Sequence, residues 1–208
     1  MKAVSVLPEG YREILSVDLK KDKKLYVLIN ALSLLIGAVL GVPMHFVIPF
    51  TTMMSVGGPN AYLFRVVVLF VFMLLYIVLH ELVHGIAMKI CGTKKVKYGF
   101  GGLYAYAGSD DYYPKKPYIA IALAPIVVWG AVLGVINALV PVEWFWVVYF
   151  VQLINLSGAA GDLYVTVRFS RLPKDILVRD YGVAMKVYAR GTDPDTPDAA
   201  EIRETEKE

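Results

Sequence analysis

From Val66 to Leu79 the chain carries no charged residue, and it then reads His80-Glu81-Leu82-Val83-His84. The apolar character extends on both sides, over Ala61–Ile90, far enough to cross a bilayer as one helix, which takes about 20 residues. A backbone inside hydrocarbon must satisfy its own polar groups, so a run of this kind is a helix. Three further runs are of similar length: Leu25–Phe50, Tyr118–Val140 and Glu143–Phe169. The whole chain of 208 residues is 57% hydrophobic and only 19% charged, which is too apolar for an ordinary soluble domain. The predicted fold class is therefore mainly α: a polytopic membrane protein with about four transmembrane helices. A short β-like segment is expected between helices two and three, with a small cytoplasmic segment after helix four.

The charges set the orientation. Lys20, Lys21, Lys23 and Lys24 precede the first run. Lys94, Lys95, Lys97, Lys115 and Lys116 lie between the second and third, and Arg168, Arg171, Lys174 and Arg179 at or beyond the end of the fourth. The opposite connections, Thr51–Asn60 and the turn at Pro141, carry almost none; Arg65, early in the second run, is the exception. The positive-inside rule puts both termini and the 91–117 loop in the cytoplasm and predicts a multi-pass protein of the cell membrane. A net charge of +3 is too small to suggest nucleic acid as a partner. Residues 1–24, polar and mixed in charge, do not read as a signal peptide.

The expected organisation is a cytoplasmic N-terminal segment (1–24), a four-helix transmembrane domain (25–170), a cytoplasmic segment (171–190) and a disordered acidic tail (191–208). Within the 91–117 loop, Val96–Ala107 is rich in Gly and Tyr and alternates at its end, which suggests a strand or hairpin. It is either a loop packed on the membrane surface by its tyrosines or an edge strand that holds an extended peptide. Its glycines are not followed by the Lys-Ser/Thr of a phosphate loop. Ile176–Arg190 alternates weakly and reads as one or two short strands. The single cysteine, Cys91, allows no intrachain disulfide and reads as a buried or interfacial small residue.

The pattern H-E-x-x-H on a helix sets two imidazoles at i and i+4, about 40° apart around the axis and on one face. Two nitrogens so placed can share a zinc ion, and the intervening Glu81 can serve as the base towards a metal-activated water. Two of the chain's three histidines lie in this motif. Ionisable groups inside a spanning helix cost roughly 2.5–3.5 kcal/mol each on insertion scales, so they usually mark a function. The competing reading places His80, Glu81 and His84 at the cytoplasmic interface, where the cost is small. His45, near the outer end of the first run, reads as interfacial. Asp110 and Asp111 read as solvated loop charges.

A catalytic zinc site needs a third protein ligand at the same depth. His80 lies nineteen residues beyond Ala61 and Asp162 nineteen beyond Glu143, about 28 Å along two helices that run in the same direction. Asp162 is the one acidic residue of the fourth run after Glu143, and it follows the small residues 157–161, which let helices approach or let backbone loosen beside a cavity. Its other reading is a helix-end carboxylate paired to Arg168. Asn155, two turns earlier on nearly the same face, is a candidate contact to a substrate carbonyl or oxyanion; its other reading is an interhelical hydrogen bond.

With His80-Glu81-Leu82-Val83-His84-Gly85 on one helix, a Gly/Tyr-rich stretch after it and Asn155-x-x-Gly158-x-x-Gly161-Asp162 on a later one, the chain resembles a domain-of-unknown-function family of zincin-type peptidases, small prokaryotic membrane proteins. The resemblance includes Leu7-Pro8-Glu9-Gly10-Tyr11, Leu123-Ala124-Pro125 and Asp180-Tyr181-Gly182. More distantly the chain is similar to site-2 protease-type intramembrane metalloproteases, although it lacks their proline-rich Leu-Asp-Gly surroundings: residue 161 is Gly and residue 163 is Leu. The resemblance implies His80, His84 and Asp162 as zinc ligands and Glu81 as the base; Asn155 matches loosely an Asn that precedes the ligand Asp.

These readings converge on a Zn²⁺-dependent, membrane-embedded endopeptidase that cleaves near the cytoplasmic face. Its partners would be the lipid bilayer and a membrane-associated protein or peptide substrate. The alternative is a membrane protein that binds a divalent metal without hydrolysis, as a carrier, a sensor or a scaffold stapled by its metal. A carrier would need polar residues leading to the outer side, and Ser33, His45, Arg65 and Asn137 do not make a continuous path.

Overall fold

The computed structural model describes residues 2–100, 105–182 and 184–191. Residues 101–104, within the Gly/Tyr-rich stretch, and nearly all of the acidic tail lie outside the described residues. In chain order the elements are β1 (Tyr11–Asp18), α1 (Lys23–Val47), α2 (Thr52–Ser55), α3 (Gly58–Ile90), β2 (Lys97–Phe100), β3 (Ala105–Gly108) and β4 (Tyr112–Pro114). There follow α4 (Lys115–Leu139), α5 (Val142–Gly158), α6 (Ala160–Ser170), β5 (Leu177–Asp180) and β6 (Ala184–Arg190). The protein is mainly helical, and four stretches are long and apolar enough to cross a membrane: Lys23–Val47, Gly58–Ile90, Lys115–Leu139 and Val142–Ser170. The expected spans agree with these within a few residues. The fourth differs in one respect: it is two helices in series, α5 and α6.

The chain divides into two compact units. The first takes Met1–Tyr26, Gly85–Ala122 and Val165–Glu208. Its sheet has the order β1-β6-β5-β4, antiparallel throughout, and β2 and β3 pair separately. The Gly/Tyr-rich stretch, alternating at its end, signalled β2 and β3, and weak alternation signalled β5 and β6; β1 and β4 were not legible. In β6, Val187 and Ala189 are both buried, two residues apart as the pleat requires, and Val187 pairs in register with buried Val178 of the neighbouring strand β5.

The Asp180-Tyr181-Gly182 stretch is the connection between β5 and β6. Gly182 sits at φ 92°, a conformation that favours glycine, and a Cβ there would run into the Tyr106 ring. Asp180 is buried, with Oδ1 accepting the Gly182 N–H at 2.7 Å and Oδ2 accepting the Tyr118 hydroxyl at 2.8 Å. At the other end, Asp18 closes β1 by accepting the Lys20 and Lys21 N–H groups, and Asp22 caps α1 through the Leu25 N–H.

The second unit takes Val27–His84 and Leu123–Tyr164. Its buried clusters are Met53 with Trp146 and Val147, and Tyr76 with Leu133, Val148 and Val151. Arg65, anomalous for charge topology, is buried here: Nη1 donates to the Met53 and Val56 carbonyls, and the guanidinium lies 5.8 Å from the Trp144 ring. It therefore caps the 53–56 turn, whose own N–H groups cannot reach those carbonyls. His45 serves a similar end, with Nδ1 accepting the Phe50 N–H at 3.1 Å.

Candidate metal centre

At 33 residues α3 is about 50 Å long, more than a bilayer core needs, and its last third carries His80, Glu81 and His84. The four-residue spacing stacks the two imidazoles on one face, with ring centroids 4.9 Å apart. Asp162 stands in the first turn of α6, just past the junction at Ala159. Its Oδ2 is 3.5 Å from His80 Nε2 and its Oδ1 is 3.6 Å from His84 Nε2. One ligand atom from each of the three residues lies within 4.8 Å of the others. All three side chains are largely shielded, at 13%, 11% and 20% exposure for His80, His84 and Asp162.

This donor set fits zinc. Ligands held roughly 2.0–2.1 Å from a tetrahedral ion stand about 3.3 Å apart, close to the two His–Asp separations. Two imidazoles and a carboxylate with no cysteine are the ligands of many zinc hydrolases, and three protein ligands leave a fourth position for water or substrate. Glu81 follows His80 directly and is half-buried.

Asn155 is more completely buried than the candidate metal ligands. It is fully buried in α5, with Oδ1 accepting the Tyr76 hydroxyl at 2.8 Å. Its Nδ2 stands 3.5 Å from the Ile126 carbonyl and 3.4 Å from Gln152 Oε1. The bonds to Tyr76 and Ile126 cross to α3 and α4, and that to Gln152 stays within α5; the first two are the interhelical hydrogen bonds of the plainer reading of Asn155. Sequence reasoning missed Tyr76, whose hydroxyl also lies 2.7 Å from His80 Nδ1. Its one signal is position: a tyrosine four residues before a histidine shares that histidine's helix face. His45 packs elsewhere in this unit, against Phe46 and Trp146. Cys91, Asp110 and Asp111 belong to the other unit, and none of them is in the candidate metal-binding group.

A family described as "Putative zincin peptidase" matches residues 73–177, half of the chain, from just before Tyr76 to the start of β5. The chain is also 31% identical over 127 residues to a Pyrococcus woesei protein called "Uncharacterized 24.7 kDa protein in gap 5'region". That likeness covers 59% of this chain and 55% of the relative, so the chain spans about half the length of the curated relative it matches. No solved structure matches.

Proposed function

The chain belongs to this zincin peptidase family, and from that premise we propose that it is a zinc-dependent endopeptidase of the cell membrane, cutting peptide bonds near the cytoplasmic face. The observation that carries the reading is the gathering of His80, His84 and Asp162, from two helices, beside a glutamate that follows the first histidine. The four spanning-length helices support a membrane setting. The lysine- and arginine-rich connections support cytoplasmic termini. The substrate is a membrane-associated protein or peptide, since the lipid bilayer is the surrounding in which the site would meet it.

His80, His84 and Asp162 would hold the ion. When bound, zinc supplies Lewis acidity, polarising a carbonyl oxygen and bringing the pKa of a water towards about 7. One carboxylate and two neutral imidazoles do not cancel the charge of a divalent ion, so this ligand set preserves that acidity. Glu81 takes the proton from the attacking water and delivers it to the leaving nitrogen, so that a neutral amine departs rather than an amide anion. The shielding of the three ligand side chains limits competing water around them.

The reading is tested with the zinc-loaded protein in detergent or nanodiscs and a pool of membrane-protein substrates. Glu81→Gln should retain zinc and lose hydrolysis by at least about 100-fold, the scale of general acid–base catalysis. Undiminished hydrolysis in that variant sinks the mechanism. Zinc bound by wild type without cleavage of any peptide leaves the non-hydrolytic alternative.

A further inference from the structure

The hydrogen bonds behind His80 have a direction, and two backbone carbonyls impose it. A carbonyl can only accept. Gln152 must therefore turn its amide nitrogen to the Gly130 carbonyl, 3.5 Å away, which leaves Oε1 for Asn155. Asn155 must likewise turn Nδ2 to the Ile126 carbonyl and to Gln152 Oε1, and its Oδ1 then faces Tyr76. The Tyr76 hydroxyl has one proton and gives it to that Oδ1. Towards His80 Nδ1, at 2.7 Å, the phenol oxygen is left only as an acceptor. Nδ1 must carry the hydrogen.

We propose that Tyr76 is a positioning residue for His80: with Asn155 behind it, it holds the imidazole as the Nδ1–H tautomer and leaves the Nε2 lone pair as the ligand. The inference rests on the zinc reading above for its purpose, and on the geometry alone for its direction. It also bears on how His80 faces Asp162. With hydrogen on Nδ1, His80 Nε2 presents a lone pair to the Asp162 carboxylate at 3.5 Å, an arrangement that a cation relieves. Partners on the second ring nitrogen fix tautomer and ring orientation at metal sites generally, and their loss lowers metal affinity about 10–100-fold. Burial makes the arrangement firm, since Tyr76 is 5% exposed and Asn155 is 0% exposed. The Tyr76 ring is further braced edge-on against Trp129, with centroids 6.2 Å apart, and Trp129 donates to the Leu79 carbonyl just before His80.

Two variants separate this role from simple packing. Tyr76→Phe keeps the ring and removes the acceptor. Asn155→Leu removes the group that takes the phenol's proton, so the freed hydroxyl turns to donate to Nδ1 and drives His80 to the Nε2–H tautomer. The first readout is ¹⁵N NMR of histidine-labelled, metal-free protein at a pH where imidazoles are neutral. With three histidines in the chain, His80→Ala assigns the His80 signals. Wild type should show His80 as Nδ1–H, Tyr76→Phe a mixture, and Asn155→Leu a shift towards Nε2–H. The second readout is Zn²⁺ affinity by chelator competition, which should fall about 10–100-fold in both variants while thermal unfolding confirms the fold. An unchanged tautomer with unchanged Zn²⁺ affinity in folded Tyr76→Phe overturns the proposal. So does Asn155→Leu with wild-type tautomer and affinity and only a raised KM, which would make Asn155 a substrate contact. Wild type that binds no Zn²⁺ overturns the zinc reading instead, and the tautomer measurement then still decides the positioning role.

Discussion

The Asp162 carboxylate bridges towards both motif histidines, with Oδ2 3.5 Å from His80 Nε2 and Oδ1 3.6 Å from His84 Nε2, although it stands on a different helix. The helix α5 ends at Gly158 and α6 begins at Ala160, so the break at Ala159 sets Asp162 into a first helical turn. An acidic group in a first turn also faces N–H groups that have no partner within the helix.

On the proposed zinc reading, removing that carboxylate removes a ligand rather than a support. Asp162→Ala should lower Zn²⁺ affinity by more than the roughly 100-fold upper range for loss of an outer partner. Metal content of purified protein, measured by mass spectrometry, should fall from near one zinc per chain to near none. Retention of zinc in the variant would remove Asp162 from the ligand set.

Gly85, the residue after the motif, lies against a side chain of the β2 strand. A Cβ at Gly85 would run into the Tyr98 hydroxyl. Gly85→Ala should therefore displace the Tyr98 ring, which is half exposed and can rotate outward. The cost should sit at the low end of the roughly 1–3 kcal/mol typical of overpacking. Tyr98→Ala should absorb most of it in the double variant, and a thermal-unfolding double-mutant cycle reads the coupling. Additive effects would mean that the two side chains do not meet.

Asp110 is held below the ordinary carboxylate range, first by its hydrogen bond from Lys97 at 2.6 Å and then by that from Arg179 at 3.2 Å. A depressed folded value means that the contribution is present above the unfolded pKa of about 3.9 and fades as pH falls through the folded value. The group is exposed, so the effect on global stability is small. A carboxyl NMR titration should place the Asp110 midpoint below that of a model aspartate, and Lys97→Met should raise it. A midpoint at the model value in wild type would mean that the pair is not formed in solution.

Cys91 is the chain's one thiol and sits just past α3, on the side proposed to be cytoplasmic. A membrane-impermeant maleimide should label it in inverted vesicles and not in intact cells. Burial raises its thiol pKa, so labelling should quicken as pH rises from 7 to 9. Labelling from outside intact cells would reverse the proposed orientation.

The mainly helical class, the four spanning segments and the His80-Glu81-x-x-His84 motif were legible in the sequence, because apolar length and helical spacing are local properties. Alternation exposed β3, β5 and β6 in the same way. Asp162 could be nominated from its depth, since rise per residue converts sequence position into height along a helix. Only the tertiary structure decided the rest. β1 lies among polar residues and is a strand because β6 supplies its hydrogen-bonding partner. Arg65 breaks the charge pattern because distant carbonyls at Met53 and Val56 receive it. The pairing of Tyr76 with His80 repeats every four residues like any helix face. That its proton is claimed by Asn155 depends on which helices meet, and a linear pattern holds no record of that.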